Sequence, residues 1–322
     1  MKKEKKGPAP AGAKRNRRAC HDAARRHMRR MTPAPYDRRR LRARSVRLAA
    51  RPCADPFLRR AIEESLLERI GMVRRAFPRV LVLGRQDGAL AGAVAGLPEV
   101  GEVVALDVVP GKGPLAVVGD EALLPFREGA FDAVVSALSL HWVNDLVGLL
   151  VQARRCLVPD GLLLAGFPGG DSLKELRYAL TQAELEIRGG MEPRVMPMID
   201  VRDAGGLLQR AGFALPVADV ERLPVRYASP LGLLADLRAM GETNHLRGSG
   251  RTALRRDVLA RAVEIYANDF SDPDGRVRAG FDLVYLTAWA PAPSQPKPLR
   301  PGSGQVSMAE AVAGWPGKKV SG

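Results

Sequence analysis

The chain has 322 residues, of which 46% are hydrophobic and 26% charged, and its formal net charge is +15. No apolar run approaches the roughly 18 residues of a membrane-spanning helix, and no apolar stretch follows the charged N-terminus, so we expect a cytoplasmic protein. Residues 1–60 hold 21 of the 50 Lys and Arg but 4 of the 35 Asp and Glu, so the excess charge belongs to one end, and we expect no specific nucleic-acid function.

The N-terminal part divides into two segments. Residues 1–35 contain few large apolar side chains, which predicts a disordered basic extension. Met31 opens a stretch that reads like a natural start, so the residues before it are either such an extension or the product of a misassigned start codon. Residues 36–75 carry apolar positions at helical spacing, and Pro52 and Pro56 divide them into two pieces.

Residues 76–170 alternate between short apolar runs and helical patterns. The runs predict strands over residues 80–84, 102–109, 114–119, 130–138 and 161–167, and the patterns between them predict helices over 89–97 and 145–157. The second helix is expected to stop at a turn made by Pro159, Asp160 and Gly161. Nearly unbroken apolar strands that alternate with helices indicate an α/β fold with a Rossmann-like parallel sheet covered on both faces.

Residues 171–290 change in character, and residues 291–322 form a Pro-, Gly- and Ser-rich tail that we expect to be irregular. Helices are predicted over residues 171–188, 200–211, 230–240 and 251–269, and strands over 218–227 and 281–290. Asp200 is a plausible N-cap, and Gly212 ends the same helix. The sequence thus predicts seven strands and a helical insertion in the C-terminal half.

The stretch VLVLGRQDGAL at residues 80–90 predicts a strand, a loop and the start of a helix. Gly84 and Gly88 would let the backbone approach a ligand closely, although such loops also serve only as tight turns. Asp107 ends the next strand, 23 residues after Gly84, where a carboxylate can accept hydrogen bonds from ribose hydroxyls. Loop and acid together predict a site for a nucleoside-containing ligand.

A third feature follows the short strand at residues 114–119. Asp120 and Glu121 stand where a carboxylate could accept from an adenine amino group, and an aromatic-containing segment, LSLHW, comes after the fourth strand. This order resembles class I S-adenosylmethionine-dependent methyltransferases. The motifs SALSLHWVNDL, GGDSLKELRYALTQAELEIRGG and DLRAMGETN resemble one branch more closely, that of the mitochondrial complex I assembly factor described as an arginine hydroxylase and its alphaproteobacterial homologues. The malonyl-carrier-protein methyltransferases of biotin synthesis are more distantly similar.

The resemblance spans residues 36–290 and implies a seven-stranded methyltransferase fold with S-adenosylmethionine as cofactor. Two positions depart from the family: Val82 replaces the usual acidic residue, and Gln86 replaces the glycine of closest approach. Arg85 could then pair with the cofactor carboxylate, and Asp87 could take over the anchoring role. The implied cofactor-binding residues are Gly84, Arg85, Asp87, Gly88, Asp107, Asp120, Glu121, Leu138 and Trp142.

Several polar side chains after the fourth and fifth strands admit two interpretations. His141 is the candidate catalytic residue, as a base or a substrate contact, and otherwise a hydrogen-bonded core residue; Trp142 covers the cofactor or packs the sheet edge. Asn144 and Asp145 are expected to cap the following helix. The group Asp171, Glu175 and Arg177 lies beside the expected substrate opening, where a solvated charged face is the commoner explanation. The segment GETNH at residues 241–245 is either an ordinary loop or a cluster that reaches over the pocket.

No metal site is predicted, because the three cysteines lack CxxC pairing and the four histidines show no ligand spacing. The favoured function is S-adenosylmethionine-dependent methyl transfer, with a role in maturing respiratory complex I and its iron–sulfur subunit as a protein substrate. The alternatives are a non-methylating assembly factor and a protein-arginine hydroxylase, both with a degraded cofactor loop. Any contact with the inner membrane would then come through the respiratory partner.

Overall fold

A computed structural model describes residues 34–51, 53–84, 88–110, 115–247 and 253–296, together with residue 307. Its centre is a seven-stranded sheet with the strand order β3-β2-β1-β4-β5-β7-β6. Strands β1 to β5 run parallel, and β7 lies antiparallel between β5 and β6. The strands are β1 (Phe77–Leu83), β2 (Val100–Asp107), β3 (Ala116–Val118), β4 (Phe131–Ala137), β5 (Leu157–Gly169), β6 (Ala214–Tyr227) and β7 (Val277–Trp289).

Eight α-helices and one 3₁₀ turn surround this sheet in the described part of the chain. The helices are α1 (Arg38–Ala50), α2 (Phe57–Gly71), α3 (Ala89–Ala95), α4 (Leu146–Cys156), α5 (Lys174–Arg188), α6 (Val201–Arg210), α7 (Pro230–Met240) and α8 (Arg256–Phe270), and the 3₁₀ turn is Leu140–Trp142. In the ranges that the structure covers, no helix is both long and apolar enough to cross a membrane.

The core has two layers because side chains alternate along each strand. Val80 and Val82 of β1 join the cluster under α2, α3, α5, α7 and α8, whereas Leu81 and Leu83 join the cluster under α4 and α6. Both faces of the central strands are therefore buried, as the unbroken apolar runs predict. The predicted α/β class and seven-stranded methyltransferase-like sheet are confirmed.

The predicted elements are present, and several of them have shifted bounds. The turn expected at Pro159, Asp160 and Gly161 is wrong, because α4 ends at Cys156 and these residues lie inside β5, where Asp160 has a φ of +62°. Strands β6 and β7 begin at Ala214 and Val277, ahead of the predicted starts, because they pair with each other over their whole length. Asp200 caps α6 as predicted and accepts a hydrogen bond from the Arg202 backbone N–H at 2.8 Å.

Candidate functional site

Gly84 stands at the carboxyl end of β1, where β1, β2 and β4 come together. Its φ is +112°, a conformation that side-chain-bearing residues rarely adopt. A Cβ at this position would lie 2.7 Å from the carbonyl oxygen of Ala137 and 2.9 Å from Cβ of Ser139. The glycine therefore lets the backbone of β1 approach the end of β4 in a way that no other residue permits.

A small hollow of about 10 Å³ lies beside Gly84. Gly88, which has a φ of +88°, borders the same hollow, so the structure brings the two predicted glycines together. Val82 also borders it and is 3% exposed. Arg85 and Asp87, the other two loop residues predicted to hold the cofactor, lie outside the described residues, as does Gln86.

Two charged side chains of α2 border the hollow, and the sequence did not predict them there. Arg59 and Glu63 both border it, and the Arg59 Nε atom lies 3.6 Å from the Glu63 Oε1 atom. Their side chains are 21% and 16% exposed. An Arg and a Glu four residues apart on a helix usually form a surface pair, so the sequence carried no signal for this placement.

Asp107 lies at the carboxyl end of β2, one strand away from Gly84. Leu106 and Leu83 are register partners, and the backbone N–H of Gly84 donates to the carbonyl of Leu106 at 3.2 Å. The Asp107 carboxylate is 7% exposed and accepts from the Val109 backbone N–H at 3.2 Å. Its position at the strand end next to Gly84 is the one that the sequence predicts for a ribose-binding acid.

Asp120 and Glu121 contact an arginine from the N-terminal helix. The Arg38 guanidinium lies 3.1 Å from Glu121 Oε1 and forms a second ion pair with Asp120. The same guanidinium donates to the carbonyl of Trp142 at 3.3 Å. The two acids were predicted to face an adenine amino group; in the described structure they hold α1 against the turn that follows β4.

Burial raises the pKa of the Glu121 carboxyl, while the positive charge of Arg38 acts to lower it. The carboxyl is nearly inaccessible, at 7% exposure, so the loss of hydration is the larger of the two effects. Arg38 therefore offsets part of the effect of burial on this carboxyl. Nothing in the sequence distinguishes it from its neighbours Arg39 and Arg40.

The segment before α1 is inserted between two loops. The Tyr36 backbone N–H donates to the Asn144 side-chain oxygen at 2.7 Å, and the Asn144 amide donates back to the Tyr36 carbonyl at 3.2 Å. Tyr36 also forms an isolated antiparallel bridge with Leu246. The prediction that Asn144 caps a helix is wrong for this reason, whereas Asp145 does cap α4 and accepts from the Gly148 N–H at 2.8 Å.

His141 forms a buried pair with Glu242 from the loop after α7. The His141 Nε2 and Glu242 Oε2 atoms are 3.0 Å apart, and the side chains are 2% and 6% exposed. A carboxylate accepts only, so we assign the proton to Nε2, which leaves His141 Nδ1 as an acceptor with no hydrogen-bond partner in the described structure. The GETNH loop thus contacts the segment after β4 through Glu242.

Trp142 lies in the wall of a cavity of about 250 Å³, next to the carboxyl ends of β4 and β5. Trp142 does not border the hollow beside Gly84, so this hollow gives no support to its predicted role of covering the cofactor. Its ring packs edge-on against Tyr36 and His245, and its indole N–H has no hydrogen-bond partner in the described structure. The cavity wall is mainly aliphatic, with polar groups in one part; it includes Leu58, Trp142, Leu173, Leu176, Leu180, Arg194, Met196, Met198, Leu234, Leu237, Arg238, Glu242, Thr243 and Phe281.

The remaining predicted residues fall into different environments. Leu138 is 3% exposed with a φ of +52°, and its N–H donates to the Gly166 carbonyl at 2.9 Å, so its side chain belongs to the core. Asp171 is exposed and pairs with Lys174 at 3.5 Å, as a solvated face predicts. Glu175 departs from that prediction, because it is 8% exposed and accepts from the Gly280 N–H at 3.4 Å.

Arg177 also turns inward and donates to the carbonyls of Ser172 and Met196, each at 3.4 Å.

Cys53 and Cys156 are free thiols, and Cys20 lies outside the described residues. Over the described ranges, no group of three or more His, Cys, Asp or Glu side chains has a metal-binding arrangement.

Comparison with known proteins gives one consistent result. Residues 81–165 match the protein family described as Methyltransferase domain. The chain is 36% identical over 264 residues to "Arginine-hydroxylase NDUFAF5, mitochondrial" of Danio rerio, which covers 79% of this chain and 81% of the relative. It is 35% identical over 283 residues to the malonyl-[acyl-carrier protein] O-methyltransferase of Laribacter hongkongensis, covering 81% and 93%.

Among solved structures, the YcgJ protein from Bacillus subtilis matches with a TM-score of 0.50 at 14% sequence identity. The match covers 71% of this chain and 99% of that chain. At such low identity the likeness shows the fold alone.

Proposed function

Because the chain belongs to the family of class I S-adenosylmethionine-dependent methyltransferases that includes the mitochondrial arginine-hydroxylase NDUFAF5, we propose that it binds S-adenosylmethionine at the carboxyl ends of β1, β2 and β4 and methylates an acceptor held in the neighbouring cavity. The observation that carries this proposal is the place of Gly84, which has a φ of +112° and lies at the carboxyl end of β1, beside a hollow and one strand away from a buried strand-end acid, Asp107.

The residues present fit such a ligand in their chemistry. Gly84 and Gly88, which carry no side chain, border the hollow, and the Asp107 carboxylate is suited to accept from ribose hydroxyls. When bound, S-adenosylmethionine supplies an electrophilic methyl group on a sulfonium sulfur. Trp142 and Leu58 in the cavity wall would exclude water from an acceptor, and holding it in place is the main contribution required of the protein.

Glu242 and His141 have a defined role in this proposal. Glu242 lines the cavity, and His141 contacts it from behind at 3.0 Å. His141 thereby fixes the orientation of the carboxylate, which would face an acceptor group in the cavity. His141 is in this way a positioning residue, whereas the sequence analysis proposed it as the base itself.

The proposal is tested by isothermal calorimetry of the full chain with S-adenosylmethionine and with S-adenosylhomocysteine. Saturable binding of both ligands is expected. An absence of heat and of a thermal shift up to millimolar ligand would contradict the proposal and leave the non-methylating assembly factor as the function. A variant with Asp107→Asn serves as the control, since loss of one charged acceptor is expected to weaken both ligands by roughly 10- to 150-fold.

A second candidate is the modification that the name of the first relative states, hydroxylation of an arginine, here on an iron–sulfur subunit of respiratory complex I. The observation that favours it is the Glu242 carboxylate, which can pair with a guanidinium, in the wall of a mainly aliphatic cavity that can hold its alkyl chain; Arg194 and Arg238 line the same cavity. Mass spectrometry of that subunit from a deletion strain tests it. An arginine that keeps its additional oxygen in the deletion strain would contradict this candidate.

The proposed location is the cytoplasm, with contact at the inner membrane only through a respiratory partner. One named relative is described as mitochondrial, and the other comes from a bacterium. Fractionation of cells with and without complex I tests the partner, because membrane association is expected to depend on the complex.

A further inference from the structure

The position that usually carries the acid of a methyltransferase glycine loop is apolar in this chain. Val82 is 3% exposed and packs in the core cluster under α2, α3, α5, α7 and α8, and it also borders the hollow beside Gly84. An ammonium group entering the hollow would therefore meet a methyl-bearing side chain from β1. Burying an ammonium without a partner costs several kcal/mol, so the charge must be met from another element.

Helix α2 brings a carboxylate to this place. Its inner face is fixed to the sheet by fully buried apolar residues, among them Leu58, Ile62 and Leu66. Glu63 follows Ile62 and borders the hollow together with Gly84 and Ala137. A side chain on a helix held this firmly keeps its direction, so the carboxylate is preorganised against the end of β1.

The hollow is small, and the Glu63 carboxylate borders it together with the Arg59 guanidinium. Its volume, about 10 Å³, is at the lower limit for one water-sized group. The Glu63 side chain is 16% exposed, so its charge is screened less than that of a surface residue. Arg59 lies 3.6 Å from it on the same helix, so the two side chains restrict each other's orientation.

We propose that Glu63 replaces the missing acid of β1 and accepts a hydrogen bond from the α-ammonium group of the cofactor's amino-acid portion. The proposal rests on the proposed function, since it assigns a residue to the same ligand. The carboxylate belongs to α2 and borders the hollow together with Gly84 and Gly88.

Two ligands that differ in the amino-acid portion test this assignment. S-adenosylhomocysteine carries the α-ammonium group, and 5′-methylthioadenosine lacks it while keeping the adenosine and the sulfur. Calorimetry of the full chain is expected to show that Glu63→Gln weakens S-adenosylhomocysteine by roughly 10- to 150-fold, the range for a lost hydrogen bond to a charged group. The affinity for 5′-methylthioadenosine should change less than about twofold.

Glu64→Gln is the matched control, because it removes the same charge from the neighbouring, exposed position of α2 and should leave both affinities unchanged. Glu63→Asp, which keeps the charge on a shorter side chain, is expected to lie between Glu63→Gln and wild type, and it serves as the test variant if the Gln variant does not fold. Equal weakening of both ligands, or unchanged binding of S-adenosylhomocysteine, would overturn the assignment. A wild-type protein that binds neither ligand would instead overturn the proposed function.

Discussion

Replacement of Gly84 by alanine tests the geometry on which the site depends. The added Cβ would lie 2.7 Å from the Ala137 carbonyl oxygen and 2.9 Å from Cβ of Ser139, both closer than ordinary van der Waals contact. The carbonyl belongs to the backbone of β4 and cannot rotate away, so β1 and β4 must separate at their carboxyl ends. The φ of +112° adds strain of its own, because alanine disfavours this region.

The two contributions can be estimated separately. A residue held in a disfavoured backbone conformation costs about 1–3 kcal/mol, and a forced contact in a packed core costs a further ~1–3 kcal/mol. Gly84→Ala should therefore lower the free energy of unfolding by about 2–6 kcal/mol, a large part of the ~5–15 kcal/mol that holds a typical domain folded. Cofactor binding should be lost with it, because the hollow is bordered by the same backbone.

Urea unfolding followed by circular dichroism measures this change, with Gly92→Ala as the matched control. Gly92 lies in α3, directly after the same loop, and a Cβ there meets nothing within 4 Å. This control should gain about 0.5–1 kcal/mol, because alanine loses less backbone entropy than glycine in a helix. A Gly84→Ala protein as stable as wild type would refute the argument that this position requires glycine.

Three further outcomes are expected. Arg38→Met removes the cation that lowers the pKa of the buried Glu121 carboxyl, a pKa that burial already raises above its unfolded value. The stability of the variant relative to wild type should therefore be least affected at about pH 4 and should fall as pH rises, by about 3 kcal/mol in thermal melts at neutral pH. Adding Glu121→Gln should remove this pH dependence. Glu242→Ala leaves His141 buried without its partner and should cost about 1–3 kcal/mol in urea unfolding, whereas Glu242→Gln keeps an acceptor and should cost less; equal costs would contradict the pairing. Leu234→Trp should fill the large cavity and reduce binding of an apolar fluorescent dye with unchanged cofactor affinity, and unchanged dye binding would show that the cavity is not open to ligands.

The sheet could be predicted because its signal is local. An apolar run such as VLVLG is buried on both faces, and burial of this kind selects Val and Leu at every position. The end of β5 nearest α4 could not be predicted, because its backbone is fixed by distant groups. The Asp160 carbonyl accepts from Arg75 at 2.6 Å, and its carboxylate accepts from Gln295 at 2.7 Å, which overrides the local turn signal.

The candidate site also contains residues that the sequence could single out and residues that it could not. The sequence singled out Gly84 and Asp107 because glycine after a strand and an acid at the end of the next strand are typical of nucleotide sites at this spacing. It did not single out Arg38 and Glu63, because their placement depends on which helix face meets the sheet. Arg38 lies 83 residues before Glu121, and no spacing rule connects two such positions.

The contact between Tyr36 and Leu246 sets an order of events during synthesis. The first of these residues leaves the ribosome more than two hundred residues before the second, so this bridge is among the last contacts of the N-terminal segment to form. Contacts of such wide sequence separation close late. The bonds of the same segment to Asn144 and Glu121 need only the first 144 residues, so a nascent chain can hold the segment on one side well before the loop after α7 covers it from the other.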